Sequence, residues 1–433
     1  MNISNIIKIM LVNLLVLFII IIIGSILLRA FDVHKGEPGD KQESFRANKE
    51  FDRNTIRSTY PMYSHLTSEY AMNIFTDYAG PETTYSPFTG WRRKAYNGLT
   101  VNVEDEYHTR LSLNHNVNNS IWFFGGSTLW GTGSDDKNTI PSHYARVSGD
   151  DVWNLGESGY NSFQEFIQLS MLLLRGIRPS SVIFYDGVNE SIYCNTNNKD
   201  YPTHSRVERW EKYMGGYEAI RRENIILKKK LRKKIGEKSS IGASPESIRL
   251  VNSVYGYIAE PYLRLYKKAT DKRVIGREPS ENLKSGTPFS EFHQKEKYKN
   301  CDKSKEKVKK AASATVRAWL MAYDILNAQN ISLKIFLQPT SQLAPNSLQL
   351  DYLVDSQKQQ IVDESASYKA QYAEIRKIWS EECGHHNACE SFYDISSILD
   401  GVDEEIYIDA MHIGPRGNKM VAKEIYSIIK SSK

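Results

Sequence analysis

The sequence predicts an α/β fold, a three-layer α/β/α sandwich around a central parallel sheet. Two observations support it. Short, continuous apolar runs recur from residue 119 onward, and segments with apolar residues at helical spacing lie between them. Continuous apolar strands that alternate with helices are typical of a parallel sheet covered on both faces.

Each predicted strand is an apolar run bounded by turn residues. In chain order the runs are "SIWFFGGS", "DDVWNLGESG", "SSVIFYDGVNE", "SLKIFLQP" and the weaker "SFYDISSIL". The predicted helices are "SFQEFIQLSMLLLRGI", "VKKAASATVRAWLMAYDILNAQN" and the stretch from Ser356 to Glu382. This alternation places the α/β domain at 119–433, with an insertion at about 195–305 that interrupts the pattern.

The N-terminal region predicts a single membrane anchor. After a short tail, 1–8, residues 9–28 carry no charge, and about twenty helical residues span the roughly 30 Å of a bilayer core. Two alternatives to an anchor fit this segment less well. A buried core helix would show a polar face, and a cleaved signal peptide would have a small-residue cleavage site. Basic residues lie on both sides of this span, so the positive-inside count is indecisive or slightly adverse to an exported C-terminal domain. A polar tether, 29–60, and a cap of irregular and strand structure, 61–118, follow.

Composition excludes some partners and leaves others open. The 433 residues carry a net charge of +5, and no nucleic-acid-binding motif is present, so no nucleic-acid partner is expected. The basic run "LKKKLRKKIGEK" in the insertion has two interpretations, contact with an anionic lipid or polymer and a solvated helix face. No cofactor motif is found.

The four cysteines fit an oxidising compartment, because an even number follows the predicted anchor. Cys383 and Cys389 flank "GHHNA". The favoured interpretation is a disulfide. Free thiols are a second, and a zinc site with His385 and His386 is a third, although that spacing is too short for the usual two-pair pattern.

The glycine-rich turn "FFGGSTLWGTG" does not match three common motifs. Gly126 and Gly131 have the spacing of a phosphate-binding loop, but Thr132 stands where the lysine belongs. The G-x-G-x-x-G fingerprint is absent. A G-x-S-x-G elbow fails because Leu129 replaces the last glycine. Ser127 instead follows the first parallel strand, where α/β folds expose catalytic groups.

A serine nucleophile needs a base, an orienting acid and oxyanion donors, and each of these follows another predicted strand. Gly159 lies in "NLGESGYNS" and offers a backbone N–H. Asn189 lies in "YDGVNE" and offers a carboxamide. Asp409 and His412, three residues apart in "YIDAMHIGPRGNKMVAKEI", fall on one side of a turn or first helical turn.

These four blocks together resemble the SGNH hydrolases, also called the GDSL esterase/lipase superfamily, over roughly residues 119–193 and 330–430. The resemblance implies a flavodoxin-like SGNH fold and a site that needs no metal or cofactor. It also implies a nucleophile, Ser127, a base, His412, and an orienting acid, Asp409. The oxyanion donors would be the N–H of Ser127, Gly159 and Asn189.

The blocks depart from the family pattern at three positions. Gly126 stands where an aspartate is common, Val188 replaces a glycine, and Glu190 replaces an aspartate. The segment from "SPFTGWRR" to "FYDGVNE" is also similar to membrane-anchored members associated with bacterial surface-polysaccharide loci.

The predicted anchor and this wider resemblance together imply an extracytoplasmic (periplasmic) serine esterase that removes O-acyl groups, acetyl above all, from a cell-envelope carbohydrate. Another small ester is the other substrate expected. An O-acyltransferase using the same site is the first alternative, and a non-catalytic scaffold in polysaccharide assembly is the second. Trp130, Arg92 and Arg93 are candidates for substrate binding, with packing or surface solvation as the competing interpretation.

Overall fold

A five-stranded parallel sheet lies at the centre of the computed structural model, which describes residues 54–194, 204, 301 and 303–432. The strands are β5 (Ile121–Gly125), β6 (Val152–Asn154), β7 (Ser181–Asp186), β8 (Ser332–Leu337) and β9 (Phe392–Asp394). Their order in the sheet is β6-β5-β7-β8-β9, and all four neighbouring pairs are parallel. The predicted α/β fold with a parallel sheet is confirmed, and each strand lies inside its predicted run.

The register of β5 brings the turns that follow two neighbouring strands to one edge of the sheet. Ile121 is level with Ser181 at one end of the pair, and Gly125 is level with Tyr185 at the other. The chain therefore leaves β5 and β7 side by side, at the carboxyl edge where open α/β sheets bind ligands.

Helices cover both faces of the sheet. On one face, helices α3 (Ile140–Ser148) and α8 (Pro415–Ser431) pack on Ile121 and Phe123 of β5. On the other face lie α4 (Ser162–Leu174), α6 (Lys305–Asn327) and α7 (Asp355–Glu382). There the α6 residue Trp319 donates its Nε1–H to Asp186 at 2.7 Å. The buried residues alternate between the two faces, which explains why the strands read as continuous apolar runs.

The N-terminal cap contains a helix that the sequence analysis did not predict. Helix α1 (Ser68–Ala79) begins after Thr67, whose hydroxyl accepts from the N–H of Tyr70. The buried α1 residues Ala71, Ile74 and Phe75 have helical spacing. Two antiparallel pairs follow α1: β1 (Thr83–Ser86) with β2 (Gly90–Arg93), and β3 (Tyr96–Asn97) with β4 (Asn102–Val103). Strand structure was expected for this region, and only its helix was missed.

The predicted tether differs from the structure at its C-terminal end. Tyr60 is 4% exposed, and Arg57 contacts the α/β domain. The predicted tail, 1–8, and anchor, 9–28, lie outside the described residues. Across the part of the chain that the structure covers, no helix has the length and apolar character required to cross a bilayer.

Two disulfides join the four cysteines. Cys194 at the end of α5 (Val188–Cys194) bonds to Cys301, just before α6, so this bridge joins the two ends of the predicted insertion. Apart from single positions at 204, 301, 303, 304 and 305, that insertion lies outside the described residues. Cys383 and Cys389 form the second disulfide. Both thiols of that pair are therefore used and neither is available to zinc.

Candidate active site

Ser127 is the first residue of a short helix, α2 (Ser127–Trp130), that starts directly after β5. The two preceding glycines allow this abrupt turn. A Cβ on Gly126 would lie 2.2 Å from Asn189 Nδ2, and a Cβ on Gly125 would lie 2.8 Å from Leu129 Cβ. Real Cβ atoms do not come so close, so glycine at positions 125 and 126 has a steric reason.

Asp409 and His412 lie in a tight turn before helix α8. The N–H of Ile408 donates to the carbonyl of His412 at 2.9 Å and closes the turn. Asp409 Oδ1 accepts from the N–H groups of Met411 and His412, at 3.1 and 2.9 Å. These backbone bonds hold the carboxylate in the position where the imidazole contacts it.

Ser127, His412 and Asp409 form one chain of hydrogen bonds. Ser127 Oγ is 2.7 Å from His412 Nε2. His412 Nδ1 is 2.8 and 2.9 Å from the two carboxylate oxygens of Asp409. An ionised carboxylate only accepts, so Nδ1 donates to it and Nε2 is left to accept the proton of the Ser127 hydroxyl.

A fourth residue, Arg57, extends this chain beyond the sequence prediction. Its Nη2 donates to Asp409 Oδ2 at 2.8 Å, and the side chains of Arg57 and Asp409 are 14% and 13% exposed. Asp409 therefore lies between two positively polarised partners.

The electrostatics of this group favour an ionised acid and a basic imidazole. Burial alone would raise the pKa of Asp409, but the charge and hydrogen bonds of His412, together with Arg57, hold that pKa well below its ordinary value. Burial alone would lower the pKa of His412, but the Asp409 carboxylate raises it above its ordinary value. Arg57 opposes part of that rise.

The Asn189 carboxamide lies beside the residue that precedes Ser127. Asn189 is 8% exposed, and its Nδ2 donates to the carbonyl of Tyr160. A carboxamide nitrogen carries two hydrogens. One of them is used by Tyr160, which leaves the other for a further acceptor.

Glu190, next to Asn189, fastens two loops together. Its carboxylate accepts from the N–H of Ser162 at 2.7 Å and from the N–H of Gly187 at 2.8 Å. Burial raises the pKa of Glu190, and these hydrogen bonds oppose the rise. The turn that carries Asn189 is thus tied to the loop that carries Tyr160.

Gly159 occupies a turn that β2 holds in place. The turn is closed by the N–H of Tyr160, which donates to the carbonyl of Glu157, and Gly159 has a φ of 80°. Such a φ favours glycine. From β2, Trp91 Nε1 donates to the Ser158 carbonyl at 3.1 Å and Arg93 Nη2 donates to Ser158 Oγ at 3.0 Å.

Tyr78 of α1 also reaches this turn. Its hydroxyl is 3.4 Å from Ser158 Oγ, and the Arg93 guanidinium carbon is 4.4 Å from the centre of its ring. Burial alone would raise the pKa of Tyr78, but Arg93 first, and then His412, lower it to about 8. Tyr78 therefore lies within electrostatic reach of His412.

The three weaker substrate-binding candidates lie on or beside β2. Trp130 is 1% exposed, and the guanidinium carbons of Arg93 and Arg110 lie 3.9 and 4.5 Å from its ring centre. Arg93 is bonded to the Gly159 turn, and Arg92 is 7% exposed. Trp130 and Arg93 therefore occupy packing and bracing positions, and a role in substrate contact stays a prediction for all three residues.

Four residues around the site were not predicted from the sequence: Arg57, Tyr78, Glu190 and Arg110. Only the position of Glu190 in the "DGVNE" block gave a signal for any of them. Arg110 is fully buried, pairs with Asp136 at 2.9 Å and donates to the carbonyls of Trp130 and Gly131, so it holds the end of the helix that starts at Ser127.

Comparison with known proteins gives few relatives. No protein-family model and no curated protein matches the chain. Solved structures that resemble it include a protein described as a GDSL-like lipase from Bacteroides ovatus, at 14% identity and a TM-score of 0.34. That likeness covers 73% of this chain but only 55% of the other.

A second similar structure is an alpha/beta hydrolase enzyme from the metagenome of Lake Arreo, Spain, at 9% identity and a TM-score of 0.30. This likeness covers 72% of this chain and 96% of the other. Similarities of this size carry no weight in assigning a function, which rests on the residues of this chain.

Proposed function

We propose that the chain is a serine esterase of the SGNH type, with Ser127 as nucleophile, His412 as base and Asp409 as the acid that orients it. One observation carries the proposal: Ser127 Oγ, His412 and Asp409 form an unbroken hydrogen-bond chain between residues far apart in sequence. A hydroxyl bonded to an imidazole that is itself bonded to a carboxylate is the arrangement that activates serine for acyl transfer.

The reaction follows from this chain. His412 Nε2 takes the proton of Ser127 as Oγ attacks the acyl carbon. The resulting imidazolium gives that proton to the leaving alcohol, and an acyl-enzyme forms. Water then enters, loses a proton to His412 and attacks the acyl-enzyme, which releases the acid and regenerates the hydroxyl.

Three N–H donors would stabilise the oxyanion. They are the second hydrogen of Asn189 Nδ2, the N–H of Ser127 and the N–H of Gly159. The first N–H groups of a helix have no partner within it, which leaves the Ser127 N–H free for this purpose. Glu190, Trp91 and Arg93 hold the loops that carry the other two donors, as preorganised stabilisation requires.

The substrate class that we propose is an O-acylated, above all O-acetylated, carbohydrate of the cell envelope. Support comes from the sequence resemblance to polysaccharide-associated members and from the apolar segment 9–28, which we propose as a membrane anchor. The two disulfides support an oxidising, extracytoplasmic location for the domain.

The decisive experiment is covalent labelling of the full chain with a fluorophosphonate. We expect labelling of the wild type and its loss in Ser127→Ala, with the change in mass located to the peptide that contains Ser127. Ser142→Ala is the matched control, since Ser142 is buried in α3 outside the hydrogen-bond chain, and it should label like the wild type. A folded wild type that does not label would favour the scaffold alternative.

A second measurement separates hydrolysis from acyl transfer. Acetate release from an acetylated polysaccharide is followed with and without an excess of a deacetylated sugar acceptor. An esterase releases acetate at the same rate in both cases. Acetyl transfer to the acceptor at the expense of acetate release would show that a sugar hydroxyl replaces water.

A further inference from the structure

A cavity of about 340 Å³ lies beside the β1–β2 hairpin, away from the residues of the proposed reaction. The hairpin forms one wall and α4 forms another. The residues that line it include Arg92, Glu106, His108, Leu155, Gln168 and Arg175. Its volume falls within the range of about 300–1,000 Å³ that is usual for small-molecule pockets.

Arg92 in the wall of this cavity is a buried cation without an acceptor. The residue is 7% exposed, and none of its three guanidinium nitrogens finds a hydrogen-bond partner among the described residues. Buried charges are normally paired, because an unpaired charge loses its hydration without compensation.

Arg110 is a second buried arginine, and its guanidinium group is fully paired. Arg110 is 0% exposed, yet its guanidinium pairs with Asp136 and donates to the carbonyls of Trp130 and Gly131. Arg92, in contrast, has no such hydrogen-bond partner among the described residues.

The described residues around Arg92 do not provide an acceptor for its guanidinium group. The ring of Tyr160 lies 5.8 Å from the guanidinium carbon, at the outer limit of a cation–π contact, and offers no acceptor. Gln168 Oε1 and His108 Nδ1 are also buried without partners. At the exposed edge of the cavity lie Arg175 and Glu106, which carry opposite charges, and Glu106 makes no hydrogen bond to the Arg92 guanidinium.

We propose that this cavity binds an anionic sugar of the substrate glycan, with Arg92 as its cation. The planar guanidinium fork matches a carboxylate or phosphate oxygen pair. Gln168 and His108 would face the hydroxyl groups, and Leu155 would face the apolar side of the ring. The inference that the ligand is part of a glycan rests on the proposed function.

Strand β2 links this cavity to the proposed reaction site. Arg92 lies between Trp91 and Arg93, the two residues that hold Ser158 in the Gly159 turn. Tyr160, whose ring faces Arg92, accepts from Asn189 through its carbonyl. A sugar held at Arg92 would thus be bound on the same short strand that positions the oxyanion donors.

The test is equilibrium binding to the full chain, measured by calorimetry. Glucuronate supplies a carboxylate on a sugar, glucose 6-phosphate a phosphate on a sugar, inorganic phosphate an anion alone, and glucose a neutral sugar. We expect saturable binding of at least one sugar anion and none of glucose. In Arg92→Gln the affinity should fall at least about tenfold, or 1.4 kcal/mol.

The matched control is Arg317→Gln, which removes one positive charge from an α6 side chain that is 68% exposed. It should bind like the wild type. Arg92→Lys keeps the positive charge but loses the planar guanidinium group, so it should bind the sugar anion with intermediate affinity. If Arg92→Gln does not fold, Arg92→Lys takes its place in the test. A rise in melting temperature with added sugar anion, present in the wild type and lost in Arg92→Gln, reports the same site.

Three results would overturn the proposal: no binding of any anion to the wild type, equal binding by the wild type and the Arg92 variants, or inorganic phosphate binding as tightly as both sugar anions. The last would leave an anion site without a role for the sugar. Because binding is measured without turnover, a failure of the esterase proposal would appear in the Ser127 labelling experiment and not here.

Discussion

Arg57 donates a hydrogen bond to Asp409 at 2.8 Å, so the carboxylate that holds the proposed base is shared with a fixed cation. Asp409 accepts from His412 on one side and from Arg57 on the other, and both neighbours are mostly buried. Arg57 precedes the α/β domain by more than sixty residues of sequence. The basicity of His412 therefore depends on the N-terminal region.

Replacing Arg57 should move the acid limb of the pH–rate profile. His412 acts as a base only when neutral. Asp409 raises its pKa and Arg57 lowers it. In Arg57→Gln the pKa of His412 should therefore rise, so that activity is gained at a higher pH than in the wild type, by about 1 unit or less. The measurement is kcat/KM for a small acetate ester against pH.

The control for this prediction is Arg57→Lys, which keeps the positive charge and should leave the acid limb closer to that of the wild type. If the acid limb of the pH–rate profile of Arg57→Gln stays in place or moves to lower pH, Arg57 does not lower the pKa of His412.

Asn189 should contribute to the rate and much less to substrate binding. Removing one oxyanion donor lowers kcat by about 10²–10³, so we expect a fall of this size in Asn189→Ala with KM nearly unchanged. The lost bond to the Tyr160 carbonyl should also reduce the free energy of unfolding by about 1–3 kcal/mol. Kinetics and chemical denaturation measure the two effects separately.

Asn138→Ala is a suitable comparison, because the Asn138 carboxamide donates to Asp135 at 2.7 Å and is not one of the proposed donors. It should lose stability while kcat stays near the wild-type value. Equal losses of kcat in the two variants would mean that Asn189 acts only through stability.

Any side chain at position 126 should reduce activity, because its Cβ would collide with Asn189 and not because the backbone conformation requires glycine. Its φ of −79° and ψ of −154° suit any residue, but an added Cβ would lie 2.2 Å from Asn189 Nδ2. Gly126→Ala should displace the carboxamide and reduce kcat about as much as Asn189→Ala. Gly384→Ala, where a Cβ meets nothing within 4 Å, should be neutral.

The double variant Gly126→Ala/Asn189→Ala tests this explanation. If the alanine acts by displacing Asn189, its effect disappears once that side chain is gone, and the double variant should be about as active as Asn189→Ala alone. Losses that add, as they do for independent sites, would place the effect of Gly126 elsewhere.

The sequence was most informative where local pattern and topology agree. Continuous apolar runs located the five strands, and parallel strands bring their carboxyl ends to one edge. This reasoning selected Ser127 and Asn189 at neighbouring strand ends, and the three-residue spacing selected Asp409 and His412. No long-range contact had to be known.

Contacts between residues far apart in the chain produce no recognisable pattern in the sequence. Arg57 and Asp409 are 352 residues apart, and an ion pair has no periodicity in sequence. Tyr78 and Arg93 meet the Gly159 turn only because α1 and the hairpin pack there. Helix α1 itself was detectable from Ala71, Ile74 and Phe75, but the turn signals that follow it favoured strands.

Tyr78 should limit activity on the alkaline side. Its pKa is lowered to about 8, since Arg93 and His412 outweigh the effect of burial. Above that pH a phenolate would lie close to His412 and to the turn of Gly159, where it would oppose the negative charge that develops on the oxyanion. Wild-type kcat should therefore decline above about pH 8, and Tyr78→Phe should remain active there.

Tyr70→Phe is the matched control for Tyr78→Phe. It makes the same substitution on the same helix, at a tyrosine whose pKa is raised to about 12 by burial and by its hydrogen bond to Asp135. Tyr70 stays protonated across the range, so its variant should keep the wild-type decline above pH 8. If Tyr78→Phe also keeps that decline, a different group titrates, and the phenol beside Ser158 only braces the turn.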